Sequence, residues 1–258
     1  MSVITVPQLT DNYAYLVVDD ASGKAAVVDC AEPAAVLDAV GKRGLKLEAV
    51  LSTHWHGDHT GGNSALAAKV PGIKIYGARA EGGRIPALTD PVDDGDTVKV
   101  GNLVGRVLGI PAHTNGHVAY YFASLKALFC GDTLFVAGCG RVFEGRAATM
   151  VASLNKLASL PDDTQVFCGH EYTENNLRFA LTVEPGNDAL KKKYDWARER
   201  RREKQSTIPS TIAEEKRTNP FLRTDSAEIR ANLKRVNPGL SDDSVEIFAK
   251  LREMKDRF

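Results

Sequence analysis

The most informative segment of the chain is Thr53-His54-Trp55-His56-Gly57-Asp58-His59, which holds three of its six histidines. It follows an apolar run, residues 47–52, that is typical of a buried β-strand. The histidines therefore lie on the loop that leaves the carboxyl end of a strand, where α/β proteins place their chemistry. A lone histidine is usually an ordinary surface or core residue. Three histidines and a carboxylate in so short a stretch instead predict a metal site.

The spacing within this stretch indicates two sets of ligands rather than one cage. Neutral imidazole and carboxylate groups are good ligands for zinc, iron and manganese. Residues two apart in an extended segment point the same way, so His54 and His56 can hold one ion. Asp58 and His59 come after a turn at Gly57 and can face a second point.

Three later strand ends carry further candidate ligands. His113 follows a predicted strand at 103–108, Asp132 follows the apolar run 127–131, and His170 follows the run 165–169. Asp132 or His170 alone would be a weak candidate. Together with the histidine stretch they complete two coordination spheres.

The organisation of the chain changes after Tyr172. Before it, short β-branched runs alternate with helical stretches; strands are predicted at 3–6, 13–18, 25–29, 47–51, 73–76, 98–100, 103–108, 118–122, 128–130 and 165–168. Helices are predicted at 33–42, at 63–70 with Asn63 as its cap, and at 147–159. After it, helices are predicted at 187–205, 226–236 and 242–254. We therefore expect an α+β domain over residues 1–172 and an all-helical domain over residues 173–258.

Composition narrows the function classes. The 33 Lys and Arg residues balance 33 Asp and Glu residues, so no overall field points to nucleic acid or membrane. The basic segment 187–205 is interpreted as a solvated helix face, because it lacks the interleaved aromatic platforms of a nucleic-acid site. No run approaches the ~20 apolar residues of a membrane span, and the first residues lack the pattern of a signal peptide. We expect a cytoplasmic monomer whose cysteines, which show no Cys-x-x-Cys spacing, are reduced: Cys30, Cys130, Cys139 and Cys168.

These motifs resemble the metallo-β-lactamase superfamily, an αββα sandwich, and within it the glyoxalase II (hydroxyacylglutathione hydrolase) family. The resemblance extends along nearly the whole chain. The metal motif is common to the superfamily, whereas the segments after Asp132 are typical of the glutathione thioesterase. The matching segments are Thr10-Asp11-Asn12-Tyr13, residues 54–59, residues 113–117, Gly131-Asp132-Thr133-Leu134-Phe135, Gly138-Cys139-Gly140, Gly169-His170-Glu171-Tyr172-Thr173, Val183-Glu184-Pro185-Gly186-Asn187, Asn219-Pro220-Phe221 and Arg252-Glu253-Met254-Lys255.

The resemblance implies two divalent metal ions per chain, zinc first, with iron or manganese as alternatives. His54, His56 and His113 would hold the first ion. The second would be held by Asp58, His59 and His170, with Asp132 bridging both ions. Asp58 and Asp132 would also be the catalytic carboxylates, whereas His117 matches the family pattern but not a ligand position.

The resemblance further implies substrate contacts from the side chains of Arg141, Phe143, Tyr172, Arg252 and Lys255. Two of these depart from the family pattern, in which lysine is common at position 141 and tyrosine at position 143. Arg141 keeps the positive charge and gains the forked geometry of a guanidinium. Phe143 lacks the hydroxyl that could bond to the peptide part of glutathione.

The implied reaction is hydrolysis of an S-(2-hydroxyacyl)glutathione, such as S-D-lactoylglutathione, by a metal-bound hydroxide, with glutathione and D-lactate as products. This is the second step of methylglyoxal detoxification. Three alternatives remain. A persulfide dioxygenase would use a single iron and would not need Asp58 and His170 as a second set. A β-lactamase or lactonase is less favoured because an exported lactamase should carry a signal peptide. A non-enzymatic metal-binding module would not need seven candidate ligands.

Overall fold

The computed structural model describes residues 2–258 and contains two six-stranded sheets. The strands of the first sheet follow one another in space as they do along the chain. The first three pair antiparallel, and the last four pair parallel. They are β1 (Ser2–Gln8), β2 (Asn12–Asp19), β3 (Lys24–Val28), β4 (Lys46–Leu51), β5 (Lys74–Ala78) and β6 (Asp90–Val92).

The second sheet is built from later segments, and a small hairpin interrupts their sequence. The segments along the chain are β7 (Thr97–Val100), β8 (Leu103–Gly109), β9 (Val118–Phe122), β10 (Ala127–Gly131), the hairpin strands β11 (Leu134–Phe135) and β12 (Gly138–Cys139), then β13 (Gln165–Cys168) and β14 (Ser210–Thr211). The order in the sheet is β14-β13-β10-β9-β8-β7. Only β10 and β13 pair parallel, which places the residues that follow them at the same edge.

The helices are distributed unevenly along the chain, and most follow β13. They are α1 (Pro33–Gly41), α2 (Gly57–Thr60), α3 (Asn63–Lys69), α4 (Ala147–Ala158), α5 (Thr173–Val183), α6 (Asp188–Arg202), α7 (Ile212–Thr218), α8 (Ala227–Val236) and α9 (Ser244–Asp256). Short 3₁₀ turns occur at Arg79–Arg84, Ala123–Leu125 and Pro220–Leu222. Within residues 2–258, no helix is long and apolar enough to cross a membrane.

Alternation along β2 shows how the layers form. All eight residues of this strand are buried. Tyr15 and Val17 belong to the large cluster shared with the second sheet, whereas Leu16 and Val18 belong to a cluster shared with α1 and α3. Because successive side chains of a strand point to opposite faces, the first sheet is covered by the second sheet on one side and by helices on the other.

The sequence-predicted elements are present, with further short ones. The strands and helices predicted before Tyr172 all form, and β6, β11, β12 and α2 are added. The part after Tyr172 contains the three predicted helices together with α5, α7 and the two-residue strand β14. The four cysteines are free and buried, as expected.

Candidate metal centre and substrate pocket

The histidine stretch begins where β4 ends at Leu51. His54 and His56 lie on the loop after the strand. The chain then enters α2, so Asp58 and His59 lie on one helical turn rather than on an open loop. His54 and His59 are buried, and His56 is partly exposed.

The structure brings the other candidate ligands to this stretch. His56 Nδ1 lies 2.9 Å from His54 Nε2 and 3.0 Å from His113 Nε2. His59 Nε2 lies 3.3 Å from His170 Nε2. The ring nitrogens of both sets thus converge, although their residues come from three separate segments.

The carboxylates lie between and beside the histidine sets. Asp132 Oδ1 is 3.4 Å from His59 Nε2, and Asp132 Oδ2 is 3.3 Å from His170 Nε2 and 3.6 Å from His113 Nε2. Asp58 Oδ2 is 3.4 Å from His170 Nε2. Asp132 is therefore the carboxylate that faces members of both sets.

Three overlapping groups have ligand atoms within 4.8 Å of one another. One is His54, His56 and His113, which is the set expected for the first ion. Another is Asp58, His59 and His170, the set expected for the second. The third joins His54, His59 and Asp132 across the two. All seven sequence-predicted ligands are brought together, and their individual roles remain predictions.

In four of the histidines, an oxygen atom lies within hydrogen-bonding distance of Nδ1. His59 Nδ1 lies 2.9 Å from Asp29 Oδ2, and His170 Nδ1 lies 2.9 Å from Asp11 Oδ1. His113 Nδ1 lies 2.9 Å from the carbonyl oxygen of Arg141, and His54 Nδ1 lies 3.0 Å from Thr53 Oγ1. In a neutral ring, an acceptor at Nδ1 places the proton there and leaves the Nε2 lone pair directed at the cluster. Metal-ligating histidines in proteins are oriented in this way.

The electrostatics of the cluster favour added positive charge. Burial lowers the pKa of His54 and of His113, so both rings are neutral at neutral pH. Burial acts the same way on His170, but hydrogen bonds to Asp132 and Asp58 outweigh it and raise its pKa to about 10. The hydrogen bond from His170 lowers the pKa of Asp58. Asp58 and Asp132 thus stabilise positive charge on the groups beside them.

A divalent cation fits this donor set. Asp132 Oδ1 is buried and has no hydrogen-bond partner among the described residues. His59 Nε2 lies 3.4 Å from this oxygen without forming a hydrogen bond to it. A buried carboxylate oxygen without a hydrogen bond is costly, and a cation would compensate its charge. The remaining donors are imidazole nitrogens and carboxylate oxygens, which suit zinc, iron and manganese.

A cavity of about 460 Å³ opens above the cluster. Tyr172 stacks on the His170 ring with centroids 4.7 Å apart, and Phe143 lies 5.2 Å from the His113 ring. Phe143 is 59% exposed, so it forms part of the cavity wall rather than part of the core. Phe135 and Phe258 also line the cavity.

The end of the cavity away from the cluster is cationic. Arg141, Arg252 and Lys255 line it together with one acid, Asp256. Burial, followed by the nearby arginines, lowers the pKa of Lys255 to about 8. Arg252 is buried, and its Nη1 donates to the carbonyl oxygen of Cys139 at 2.7 Å. All five sequence-predicted substrate residues line this cavity, but Arg252 is already engaged with the protein backbone.

His117 lies beside the cluster without joining its groups. Its ring stacks on His54 with centroids 4.5 Å apart, and its Nε2 accepts a hydrogen bond from the backbone N–H of Asp132 at 3.2 Å. That contact supports the expectation that His117 orients a neighbour instead of binding metal.

Sequence reasoning missed the side chains that orient the ligands. Asp29 follows β3 and accepts from Thr53 as well as contacting His59. Asn12 Nδ2 donates to Asp58 Oδ2 at 3.0 Å. Asp11 and Asn12 lie in a segment that matched the family, but nothing in the segment itself indicated which ligands they contact. Asp29 had one usable signal, a carboxylate at the carboxyl end of a strand.

Comparison with family models covers nearly the whole chain. Residues 8–170 match the model of the metallo-beta-lactamase superfamily. Residues 171–258 match the model of the hydroxyacylglutathione hydrolase C-terminus.

Two curated relatives and two solved structures illustrate the similarity. A hydroxyacylglutathione hydrolase of Gloeobacter violaceus is 50% identical over 89% of this chain and 91% of its own. A relative from Arabidopsis thaliana, named hydroxyacylglutathione hydrolase cytoplasmic, is 48% identical over 90% of this chain and 92% of its own. The crystal structure of ETHE1 from Myxococcus xanthus has a TM-score of 0.69 and 26% identity, covering 99% of this chain and 98% of that one. TTHA1623, solved in a di-iron-bound form, has a TM-score of 0.62 and 26% identity, covering 86% of this chain and 100% of that one.

The αββα layers, the converged histidines and carboxylates, and these matches along both parts of the chain agree with one another. The chain belongs to the hydroxyacylglutathione hydrolase family of the metallo-β-lactamase superfamily.

Proposed function

We propose that the chain hydrolyses the thioester bond of an S-(2-hydroxyacyl)glutathione, such as S-D-lactoylglutathione. The observation that carries this proposal is one cavity with two chemically different ends. His56, Asp58, His113, Asp132 and His170 line one end, and a group of cations lines the other. A glutathione thioester has a reactive carbonyl at one position and peptide carboxylates at another, which matches this division. The names of the curated relatives support the same substrate.

The two histidine sets would hold two divalent ions, with Asp132 facing both. Zinc is the first choice, and iron or manganese suit the same donors. The di-iron form of TTHA1623 supports a count of two. When bound, the ions would supply Lewis-acid charge for the carbonyl oxygen and would lower the pKa of a coordinated water toward ~7.

The protein side chains orient the reactants. Asp58 and Asp132 line the cavity floor, where they can accept hydrogen bonds from the attacking water and fix its direction. The attacking water gives up its protons to solvent as its oxygen adds to the thioester carbon and the C–S bond breaks. Sulfur leaves as the thiolate of glutathione, and the 2-hydroxy acid is released as its carboxylate. Since a thiol of this kind has a pKa of about 8.5, the thiolate needs little protonation to leave. Phe143 and Tyr172 shield the carbonyl from bulk water.

The cationic end would bind the peptide part of the substrate. Lys255 is the cation best able to meet a carboxylate, since Arg252 is bound to the Cys139 carbonyl and to Asp256. Arg141 Nε lies 3.7 Å from Asp256 Oδ1, so Arg141 can contribute only in part. Phe143 has no hydroxyl, so binding at that wall depends on shape and apolar contact. We further propose a cytoplasmic monomer that binds neither nucleic acid nor membrane, with a catalytic domain over residues 1–172 and a glutathione-binding domain over residues 173–258.

A second candidate function is a persulfide dioxygenase with a single iron that acts on glutathione persulfide. The similarity to ETHE1 over 99% of the chain brings in this alternative, because both structures share the fold. The second ligand set argues against it. Asp58 and His170 lie 3.4 Å apart and complete a group that a mononuclear site would not need.

Metal analysis combined with two assays tests the proposal. We expect about two ions per chain, rapid hydrolysis of S-D-lactoylglutathione, and no oxygen consumption with glutathione persulfide. One iron per chain with oxygen uptake would replace the hydrolase by the dioxygenase. Absence of both activities in a fully metal-loaded preparation would reject both functions.

A further inference from the structure

The hairpin formed by β11 and β12 connects the metal centre to the cavity wall. It begins two residues after Asp132 and ends two residues before Arg141. Leu134 pairs with Cys139 and Phe135 with Gly138, which leaves Val136 and Ala137 in the turn. Ala137 has a left-handed φ of 53°, a conformation that a non-glycine residue adopts only when its surroundings hold it there.

Five consecutive residues of this hairpin each have a backbone group that is hydrogen-bonded to a side chain of the C-terminal part. Asn219 Nδ2 donates to the carbonyl oxygens of Phe135 at 3.2 Å and Gly138 at 2.8 Å. Glu215 Oε2 accepts from the N–H of Ala137 at 2.9 Å. The other two contacts are Asn176 Nδ2 to the Val136 carbonyl at 3.1 Å and Arg252 Nη1 to the Cys139 carbonyl at 2.7 Å.

Glu215 and Asn219 form the centre of this arrangement. Both are fully buried, and Asn219 Nδ2 also donates to Glu215 Oε2 at 2.9 Å. They lie on and directly after α7, and Asn219 opens the Asn-Pro-Phe segment that the sequence singled out. Buried backbone groups need partners, and the strands of this two-residue ladder cannot supply them all. The conformation of the hairpin therefore depends on these two side chains.

The hairpin in turn holds two proposed metal ligands. Gly140 donates its backbone N–H to the Thr133 carbonyl at 3.2 Å, and a Cβ on Gly140 would collide with the carbonyl oxygen of Asp132. The carbonyl oxygen of Arg141 accepts from His113 Nδ1 at 2.9 Å. A displacement of β12, the second strand of the hairpin, would thus change the direction of both Asp132 and His113.

We propose that Glu215 and Asn219 are positioning residues of the metal centre, which fix Asp132 and His113 through the hairpin backbone. The inference deepens the proposed function and rests on it for the identity of the substrate. It gives the C-terminal part a second task besides binding the peptide, because α7 sets the geometry of ligands that belong to the other part of the chain.

The test compares metal affinity and hairpin protection among four variants. Glu215→Ala and Asn219→Leu remove the hairpin contacts, whereas Glu215→Gln keeps an oxygen that can accept from Ala137 and Asn219. Glu184→Ala is the matched control, since this buried carboxylate bonds to Arg223 and Ser226 but not to the hairpin. Zinc affinity of the metal-free proteins is measured by competition with a chelator. Amide exchange of residues 134–140 and thermal unfolding are measured on the same samples.

We expect Glu215→Ala and Asn219→Leu to weaken zinc binding by about 10- to 100-fold, the range for loss of groups that orient ligands. Exchange at the Ala137 amide should accelerate in Glu215→Ala and return to the wild-type rate in Glu215→Gln. The value of kcat for S-D-lactoylglutathione should fall more than KM changes. If either variant fails to fold, Asn176→Ala, which removes one hairpin contact, should still weaken zinc binding measurably.

Equal zinc affinity in Glu215→Ala, Asn219→Leu and Glu184→Ala at similar thermal stability would overturn the inference. So would an unchanged zinc affinity in Asn176→Ala when the other two do not fold. The chelator experiment uses zinc alone and needs no substrate. Wild-type protein that hydrolyses no glutathione thioester would therefore defeat the proposed function and leave this result standing.

Discussion

At the residue scale, Asp132 is the side chain on which a two-metal centre depends most. It lies within 3.6 Å of His59, His113 and His170, which belong to different ligand sets. We expect Asp132→Ala to lose both ions and to lower kcat/KM by more than about 100-fold, beyond the 10- to 100-fold typical of groups that merely orient a ligand. Metal content per chain and thioester hydrolysis measure the effect.

A surface carboxylate provides the control for this prediction. Asp38 lies on α1 and pairs with Lys42, the residue after this helix; the side chain of Asp38 is 60% exposed. Asp38→Ala should keep both ions and full activity. An active Asp132→Ala protein that retains two ions would show that another group joins the two sets.

The two histidines of the 113–117 loop should respond differently to substitution. His113 directs Nε2 into the cluster, whereas His117 Nε2 accepts from the Asp132 backbone. His113→Asn should lose one ion. His117→Asn should keep both ions and much of the activity, with a lower thermal midpoint because a buried stacked ring is lost. Equal metal loss in the two variants would mean that the wrong histidine has been chosen.

The residues that converge in the cluster could be predicted from sequence, and most of the groups that hold their side chains could not. Each candidate ligand follows an apolar run, so the end of a strand marks its position without knowledge of the fold. Asp29 contacts His59 from the end of the adjacent parallel strand of the first sheet, 30 residues earlier in the chain, whereas Asp11 contacts His170 from the other sheet, 159 residues away. Such pairings depend on which strands are neighbours and on how the two sheets pack, which no local pattern encodes.

At the scale of elements, periodicity found the long strands and helices and missed the short ones. β14 has two residues and α2 has four, which is too little sequence for a period to show. The predicted cap of α3 is wrong in detail, because the helix starts at Asn63 and its side chain donates to Ser52 Oγ instead. The hairpin after Asp132 was not predicted either, since its partners are side chains from α5, α7 and α9.

Helix α9 leads to a prediction about pH. Burial and the neighbouring arginines lower the pKa of Lys255 to about 8, so the side chain loses its charge as the pH rises through that value. A neutral amine binds a carboxylate poorly. We therefore expect kcat/KM for a glutathione thioester, which reports groups of the free enzyme, to be highest below pH ~8 and to fall above it.

Lys255→Arg separates this effect from titration at the metal centre. Arginine stays charged, with a pKa above 12, so the decline above pH ~8 should disappear in this variant. A thioester without carboxylates should show no such decline in wild-type protein. Identical pH profiles for Lys255→Arg and wild type would remove Lys255 from substrate binding.

At the scale of the whole molecule, the two parts of the chain share one core and one cavity. The large hydrophobic cluster contains Phe129 and Leu154 from the first part and Ile212, Phe221 and Phe248 from the second. Strand β14 extends the second sheet from the C-terminal side. The cavity lies at this junction and is lined by residues of both parts. The ligands come from strand ends of the first part, and two of the cations come from α9.

This arrangement predicts a division of labour between Lys255 and Arg252. Lys255 has one backbone contact, to the Asn175 carbonyl at 3.3 Å, whereas the buried Arg252 holds the hairpin through Cys139. A charge-assisted hydrogen bond contributes roughly 1.5–3 kcal/mol, or about 10- to 100-fold in binding. Lys255→Ala should therefore raise KM for glutathione thioesters by at least about 10-fold, with kcat and metal content unchanged, because the contact is remote from the reacting carbon.

Arg252→Ala should weaken both zinc binding and substrate binding, whereas Lys255→Ala should weaken substrate binding alone. Removal of its guanidinium leaves the Cys139 carbonyl without its donor, so zinc affinity should fall together with substrate binding. Hydrolysis of a small thioester that lacks the peptide distinguishes the loss of zinc affinity from the loss of substrate binding. Lys255→Ala should leave that reaction unchanged, since no carboxylate is present to lose its partner, whereas Arg252→Ala should slow it through the displaced hairpin. If each variant hydrolyses the glutathione thioester and the small thioester with the same change in rate, α9 does not bind the peptide, and the cationic end of the cavity has another function.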